Sequence, residues 1–195
     1  MTEVGEYKDA KELREKCKLV TCESGDIITF GTYEQDGNLA NGTEDIEWIV
    51  ITRDGNKALV ISKYCLEQMP FNSTLASVTW KNSTIRTWLK SDFYNNAFSS
   101  EERSKIFNTT FSTDGIETTD KVFLLDEEDA GFLPISILKA EATDYVFTTH
   151  CYWFLRNTGS VSNAAYVSYD GELGYYENVD REWWIRPVMW IDVDY

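Results

Sequence analysis

Residues 46–62, IEWIVITRDGNKALVIS, contain two β-rich segments, Ile46 to Ile51 and Lys57 to Ser62. The segments flank Asp54-Gly55-Asn56, and an Asp-Gly pair readily supplies the positive φ angles of a tight hairpin turn. A third β-rich segment, Ile27 to Phe30, precedes them in the chain. Together the three segments predict that an antiparallel meander opens the domain.

Helix signals follow this meander. A helix capped by Ser83 would carry apolar side chains on one face as far as about residue 95. Ser99 and Glu102 have the spacing of a reciprocal capping box, which predicts a second helix that runs to about residue 107. The middle of the chain is therefore expected to be helical.

The C-terminal third is β-rich and aromatic. Ala164 to Ser168 and Glu172 to Tyr176 flank Asp170-Gly171, which again indicates a hairpin. After Arg186-Pro187 comes the apolar run Val188 to Val193. We expect strands at both ends of the domain and helices between them.

The N-terminus has a different pattern. Tyr7 to Lys18 is highly charged, with Leu13 and Cys17 on one side of a predicted amphipathic helix. We interpret residues 1–24 as a helical extension that lies against the domain, and residues 25–195 as one domain without internal repeats or linkers.

Composition narrows the function classes. Eighteen basic and 33 acidic residues give a net charge of -15, which repels phosphate backbones, so we expect no nucleic-acid partner. No apolar run reaches about 18 residues, so no membrane span is predicted. The first residues lack the apolar core of an export signal, which predicts a cytoplasmic protein, or a cell-surface or secreted one if a leader was trimmed.

The four cysteines are too few for a disulfide framework in a chain of 195 residues. We expect free thiols in a reducing compartment. The alternative is a zinc site, in which Cys17 and Cys22 would recruit further ligands from Cys65, Cys151 or His150.

Catalytic motifs are scarce. His150 is the single histidine, and in a strand its neighbour Cys151 would point to the opposite face, so these two side chains cannot form a dyad. Cys65 or a serine could still approach His150 in space. The sequence has no Gly-x-Ser-x-Gly, Walker or dinucleotide-binding motif. With 33 acidic residues, chance pairs of carboxylates are common, so the sequence neither supports nor excludes a two-carboxylate mechanism.

A series of short motifs spans residues 25–191. In chain order they are Gly25-Asp26-Ile27-Ile28-Thr29-Phe30-Gly31-Thr32-Tyr33, Ile46-Glu47-Trp48-Ile49-Val50, Ala58-Leu59-Val60-Ile61-Ser62-Lys63-Tyr64, Thr79-Trp80, Ile85-Arg86-Thr87-Trp88-Leu89, Asp92-Phe93-Tyr94, Ala97-Phe98, Asp120-Lys121-Val122-Phe123-Leu124-Leu125, Tyr152-Trp153-Phe154-Leu155-Arg156, Ala164-Ala165-Tyr166-Val167 and Ile185-Arg186-Pro187-Val188-Met189-Trp190-Ile191. Each motif is weak by itself. The ordered set resembles a bacterial family called a domain of unknown function (number six-two-seven-three).

The resemblance implies an α+β, C-type-lectin-like fold of the branch shared with formylglycine-generating enzymes and the variable proteins of diversity-generating retroelements. In that fold a small, twisted antiparallel sheet is flanked by two helices, here near Ser83 to Asn95 and Ser99 to Phe107, and a loop-rich C-terminal half displays side chains for binding. The related oxidase holds copper with a pair of cysteines late in its chain. Only Cys151 lies in the C-terminal half here, so we do not expect that activity.

Aromatic residues near the end of the chain give the best indication of a binding surface, because rings supply contact area at low entropic cost. Alternation places Tyr166 on the face away from the core, and it predicts that one of Trp183 and Trp184 is buried and the other displayed. The alternative is that these rings pack internally. The candidate ligand-binding residues are Tyr166, Tyr169, Tyr175, Tyr176, Asn178, Trp183 and Trp184.

Other motif residues are interpreted as structural. The guanidiniums of Arg156 and Arg186 can tie loop carbonyls or a carboxylate in fixed geometry. The full structural set is Trp88, Trp153, Arg156, Arg186 and Pro187.

We predict no metal and no cofactor, with calcium as the alternative. Oxygen ligands for calcium are available in the C-terminal turns, but they lack the regular spacing of a calcium loop. They are Asp170, Glu172, Glu177, Asn178 and Asp180. A second acidic run, Asp126 to Asp129, is explained by the start of a short helix, where the helix dipole favours negative charge.

The sequence thus predicts a non-enzymatic binding module whose partner is a protein or a glycan, recognised through an aromatic and acidic C-terminal surface. Two alternatives stay open. One is an enzyme of the formylglycine-generating type or another hydrolase. The other is a structural component of a larger assembly.

Overall fold

The fold, obtained as a computed structural model, is described for residues 13–143, 151–159 and 162–194. It is a mixed α+β architecture with mostly antiparallel strands. The strands are β1 Ile27–Tyr33, β2 Glu44–Asp54, β3 Lys57–Ser62, β4 Glu67–Pro70, β5 Thr109–Thr113, β6 Ile116–Asp120, β7 Val122–Phe123, β8 Trp153–Thr158, β9 Asn163–Val167, β10 Leu173–Asn178, β11 Glu182–Ile185 and β12 Val188–Asp192. The helices are α1 (13–21), α2 Thr84–Trp88, α3 Tyr94–Ala97, α4 Ser100–Lys105, α5 Glu127–Gly131 and α6 Ile135–Leu138.

The first sheet has the order β1-β2-β3-β12-β7 and is antiparallel throughout. Its opening meander confirms the sequence prediction, and Gly55 takes the positive φ of 60° that the β2–β3 turn requires. Trp48 is fully buried, and its indole Nε1 donates a 2.7 Å hydrogen bond to the carbonyl of Phe30. The buried indole is thus satisfied by the neighbouring strand.

The second sheet has the order β10-β9-β8-β11-β4, with β8 and β11 parallel. The resemblance implied one small sheet and a loop-rich C-terminal half, whereas this half of the chain supplies most of a second five-stranded sheet. The physical reason lies in β8. Trp153, Phe154 and Leu155 are all fully buried, so both faces of this strand are covered and it takes the central position.

The two predicted helices are present beside the first sheet. Ser83 accepts a hydrogen bond from the backbone N–H of Arg86, and α2 continues through a π-helical turn, Leu89–Phe93, into α3. Ser99 and Glu102 form the predicted capping box of α4. The same Glu102 carboxylate accepts a 3.0 Å hydrogen bond from the backbone N–H of Gly31, which attaches this helix to β1.

The described part of the N-terminal helix contacts the domain at its end. Leu13 is 66% exposed and Cys17 is also exposed, so neither of these side chains makes that contact. The contact is made by the residues that follow. There Leu19 and Cys22 are buried, and Arg53 donates hydrogen bonds to the carbonyls of Val20 and Cys22.

The acidic run after β7 is a helix start, as predicted. Asp126 caps α5 by accepting a 2.7 Å hydrogen bond from the backbone N–H of Asp129. β7 has only two residues, because the chain leads into this cap after Phe123. Among the helices that the structure describes, none has the length and apolar character to cross a membrane.

Candidate functional site

Four aromatic side chains meet on one face of the second sheet. Trp183 lies against Tyr166, with ring centroids 4.3 Å apart and planes at 86°, and against Tyr152 at 5.2 Å. Tyr152 extends the contact to Tyr169 at 5.6 Å. We call the set of Tyr152, Tyr166, Tyr169 and Trp183 the aromatic face.

The aromatic face is anchored in the core. Trp183 stacks on the buried Phe154 at 5.6 Å and 27°, and Phe154 contacts Phe71, which in turn contacts Trp80. Phe154, Phe71 and Trp80 are at most 1% exposed. A continuous series of rings therefore runs from the middle of the protein to its surface.

A glycine makes room for one of these rings. A Cβ at Gly174 would lie only 2.1 Å from the ring of Tyr166, which is its cross-strand partner in the β9–β10 pair. Because real Cβ atoms never approach this closely, any other residue at position 174 would displace the Tyr166 ring. The Tyr166 ring thus packs directly against the backbone of β10 at Gly174.

The residues proposed from the sequence are distributed over more than this face. Tyr169 is 45% exposed, Tyr166 and Trp183 are half-buried, and all three belong to the aromatic face. Trp184 is only 6% exposed, because alternation in β11 turns it to the opposite side of the sheet. Asn178 is exposed at the end of β10. Tyr175 and Tyr176 belong to the same strand, but their side chains lie outside the described part of the molecule.

Sequence reasoning missed Tyr152 as a site residue. This tyrosine is 36% exposed and touches three other members of the aromatic face. The parallel pairing of β8 with β11 brings it there, since the N–H of Trp184 donates a 3.0 Å hydrogen bond to the Tyr152 carbonyl. A parallel pair between strands that are distant in sequence leaves no local signal, so only the structure could reveal the neighbourhood.

The surroundings of the aromatic face are acidic. Asp170 and Glu172 are exposed in the turn after Tyr169, and Glu182 is exposed at the start of β11, next to Trp183. Two basic residues accompany them: Arg181 is exposed beside Glu182, and the positive charge of Lys139 acts on Asp170. The hydroxyl of Ser168 donates a hydrogen bond to Asp170, and this bond lowers the pKa of that carboxyl. Asp170 is therefore firmly ionised at neutral pH, and the rim carries negative charge.

Arg186 and Pro187 connect the two sheets. The fully buried Arg186 guanidinium donates hydrogen bonds of 3.0 and 2.8 Å to the carbonyl of Ser62 and one of 2.7 Å to that of Ile137. Burial lowers the pKa of Arg186 to about 10, so the group stays charged at neutral pH. The next residue, Pro187, accepts a 3.0 Å hydrogen bond from the N–H of Ser62.

Arg156 holds the start of α5. It is nearly buried and donates hydrogen bonds to the hydroxyl of Thr113, the carbonyl of Leu124 and the carboxylate of Asp126. Its guanidinium carbon also lies 4.3 Å from the centre of the Phe111 ring. Each of the three guanidinium nitrogens thus donates to a group of the protein itself.

Two tryptophans of the structural set also pack inside the protein. Trp153 is fully buried and donates a 3.0 Å hydrogen bond from Nε1 to the carbonyl of Leu138. Trp88 is half-buried, with its ring 5.3 Å from that of Phe93. Neither tryptophan contributes to the aromatic face.

The cysteines are free thiols, and two of them are neighbours. The thiol of Cys65 shares a hydrogen bond with that of Cys151, and both side chains are fully buried. Burial raises the pKa of Cys65 well above its ordinary value, and the nearby Cys151 acts in the same direction. Cys65 is therefore held in the unreactive thiol form. No local pattern in the sequence predicts this pair, because the two cysteines are far apart in the chain, and His150 lies outside the described residues.

The carboxylates close enough to share a metal ion are not the predicted ones. Within the described residues, the group that meets this criterion is Glu34, Asp36 and Glu44, whose ligand oxygens lie within 4.8 Å of one another. These residues belong to the connection between β1 and β2 and to the first residue of β2. The C-terminal acidic residues proposed from the sequence are not part of it.

The family assignment rests on the sequence. The sequence model of a family described as "Domain of unknown function (DUF6273)" matches residues 55–193, which include every strand from β3 to β12. No curated protein and no solved structure matches the chain significantly. Because the match covers well over half of its length, the chain belongs to this family of domains of unknown function, DUF6273.

Proposed function

We propose that the chain is a non-enzymatic binding module, and that it binds a protein partner through the aromatic face. The observation that carries the proposal is the continuous series of rings that fixes Trp183, Tyr166 and Tyr152 on the buried Phe154. Rings held in place before binding lose little conformational entropy when a partner docks. Tyrosine and tryptophan are also the residues most enriched at energetically important positions of protein interfaces.

The charge around the face supports a partner with a basic surface. The aromatic face lies among exposed carboxylates on a chain with a net charge of -15. A basic patch on the partner would complement this rim and accelerate association at low ionic strength. A glycan would favour a tryptophan whose flat surface is open to solvent, whereas Trp183 is half-buried among three rings.

We also propose that the fold is the C-type-lectin-like fold. The order of motifs supports this proposal, together with a sheet in which the early strands β1 to β3 pair with the last strand, β12, beside two helices. An experimental structure would test it. A chain trace whose strand order differs from that of C-type-lectin-like domains would refute it.

The binding proposal is tested by affinity capture with three forms of the protein. The parent and a control variant, Leu75→Ser/Phe132→Ser, should hold the same partner, since Leu75 and Phe132 are exposed hydrophobic residues outside the face. The face variant, Tyr152→Ser/Tyr169→Ser, should lose it while keeping its far-ultraviolet circular dichroism spectrum and a cooperative melting transition. The captured partner is then purified and its affinity for all three forms is measured.

The outcomes separate the candidate functions. Loss of the partner only in the face variant, with weaker binding at higher salt, supports the proposal. Retention by the face variant overturns it. Binding to an array of glycans that the face variant abolishes would replace the protein partner with a glycan. A self-assembled species detected by light scattering would favour the alternative that the chain is a structural component of a larger assembly.

A further inference from the structure

Two buried cysteines meet beside the second sheet. Cys65 lies in the connection between β3 and β4, and Cys151 lies two residues before the first residue of β8. Both side chains are fully buried free thiols, and the two thiols share a hydrogen bond. The cysteines are 86 positions apart in the sequence, so this contact depends on the folded structure.

Backbone hydrogen bonds hold the chain at both cysteines. The N–H of Cys65 donates a 2.9 Å hydrogen bond to the carbonyl of Glu141. Next to Cys151, the carbonyl of Tyr152 accepts a 3.0 Å hydrogen bond from the N–H of Trp184. Paired backbone therefore sets the positions of the two sulfur atoms on both sides of the contact.

The charged neighbour of the pair does not depend on the thiols. The guanidinium of Arg186 lies close enough for its charge to act on both Cys65 and Cys151. Its hydrogen bonds, however, go to the carbonyls of Ser62 and Ile137. Conversion of the two thiols into a disulfide would leave these hydrogen bonds intact, and it would add no charge to the buried cluster.

The contact between the thiols favours a covalent bond. A disulfide bond is about 2.0 Å long, so the sulfurs must close only the difference between a hydrogen-bond contact and this length. Two thiols held in contact also have a high effective concentration toward each other, which makes a disulfide between them harder to reduce. A bond between residues this far apart in the chain restricts the unfolded state and so stabilises the folded state.

We propose that Cys65 and Cys151 form a disulfide bond when the chain folds in the presence of a small-molecule disulfide, such as oxidised glutathione. The thiolate of one cysteine attacks the small disulfide, and one small thiol is released. The other cysteine then attacks the mixed disulfide, and the second small thiol is released. The protein loses two electrons and two protons in this exchange, and the small disulfide gains them.

The exchange takes place during folding, because both sulfurs are shielded from solvent in the folded protein. A chain that folds under reducing conditions keeps the two free thiols that the structure shows. Neither cysteine belongs to the aromatic face, so the inference does not depend on the proposed function.

The test compares two refolding reactions of the whole protein. The chain is unfolded in urea with excess reductant and is then refolded either in reduced glutathione or in an excess of oxidised glutathione. The remaining thiols are blocked with iodoacetamide, and a protease digest is analysed by mass spectrometry without reduction. Thermal melting is measured on the same two samples.

Two variants accompany the parent. Cys17→Ala removes the exposed thiol and leaves the buried pair, so it is the matched control. Cys151→Ala removes one member of the pair. Nuclear magnetic resonance spectra of each variant verify that the fold is unchanged.

We expect the peptide linked through Cys65 and Cys151 to predominate in the oxidised parent and in oxidised Cys17→Ala. The melting temperature of these oxidised forms should exceed that of the reduced forms by at least about 4 °C. Cys151→Ala should melt at the same temperature after both refolding reactions.

Four results would overturn the proposal. They are free Cys65 and Cys151 as the main forms after oxidative refolding, a main linkage to Cys17 or Cys22, an oxidised parent that melts no higher than the reduced parent, and an equal rise in the melting temperature of Cys151→Ala. The first three are measured on the parent itself, so they decide the question even if Cys151→Ala does not fold.

Discussion

The hydroxyl of Tyr33 donates a 2.6 Å hydrogen bond to Oε2 of Glu67. Tyr33 is the last residue of β1 and Glu67 is the first residue of β4, and these strands are edges of the two different sheets. This side-chain bond therefore joins two sheet edges that have no backbone ladder between them.

Removing the hydroxyl with Tyr33→Phe should lower the free energy of unfolding by about 1–2 kcal/mol at neutral pH. Burial raises the pKa of Tyr33 above its ordinary value of 10.0, and the bond to Glu67 acts in the same direction. The stabilisation is thus complete below about pH 10 and is lost as pH rises through the folded-state pKa. Urea unfolding of parent and variant is measured at about pH 8 and about pH 11. The difference between their unfolding free energies should be smaller at the higher pH.

A control for this experiment is Tyr152→Phe, which removes the hydroxyl of an exposed ring. We expect the unfolding free energy of this variant to stay within about 0.5 kcal/mol of the parent at neutral pH. If the parent and Tyr33→Phe differ in unfolding free energy by the same amount at both pH values, the phenol–carboxylate bond does not contribute to stability.

Gly174→Ala should displace the Tyr166 ring and so disturb the aromatic face. The added Cβ would lie 2.1 Å from the Tyr166 ring, so the ring or the strand must move, at a cost of about 1–3 kcal/mol. The expected result is a lower melting temperature and an altered near-ultraviolet circular dichroism spectrum from Tyr166 and Trp183. Gly131→Ala is the matched control, since its nearest heavy atom would be 3.9 Å away, and we expect it to be neutral or slightly stabilising. Equal behaviour of the two variants would contradict the prediction.

Much of the fold could be predicted from local sequence. The Asp-Gly turn at Gly55, the cap at Ser83 and the capping box of Ser99 and Glu102 each depend on residues a few positions apart, and each is present. These signals succeed because the chemistry of a turn or a helix end is contained in a short segment.

Only part of the candidate site could be predicted, because its residues are not contained in one short segment. Alternation separates Trp183 from Trp184, but it cannot show that Tyr152 lies beside Trp183 through a parallel strand pair. Nor could the sequence show that Cys65 meets Cys151. These neighbours are far apart in the chain, and only the packing of the two sheets brings them together.

Arg186→Lys should be strongly destabilising even though it keeps the positive charge. A lysine cannot reproduce the planar set of donors that reaches both the Ser62 and Ile137 carbonyls, so at least one buried carbonyl loses its partner. We expect the free energy of unfolding to fall by about 2–4 kcal/mol. Chemical denaturation provides the measurement, with Arg181→Lys on the exposed surface as the control. A loss of less than about 0.5 kcal/mol, the range of ordinary surface substitutions, would contradict the role of the guanidinium.

Thiol labelling should distinguish the cysteines sharply. Cys17 is exposed, whereas Cys22, Cys65 and Cys151 are buried, and burial raises the pKa of Cys22 and of Cys65. We expect iodoacetamide to modify Cys17 rapidly in the folded protein and the other three only after unfolding. Mass spectrometry of labelled peptides over time measures this order. Rapid native labelling of Cys65 or Cys151 would show that the pair is open to solvent and reactive.

The position of β12 has a consequence for the time course of synthesis. This strand fills the place between β3 and β7, yet it follows β3 by about 125 residues in the chain. At a typical elongation rate of about 5–20 residues per second, roughly 6–25 seconds pass between the synthesis of β3 and that of β12. The apolar edge of β3 stays unpaired for that time. During that interval the half-built sheet exposes an unpaired edge to other nascent chains, so a factor that shields extended apolar strands should raise the yield of folded protein.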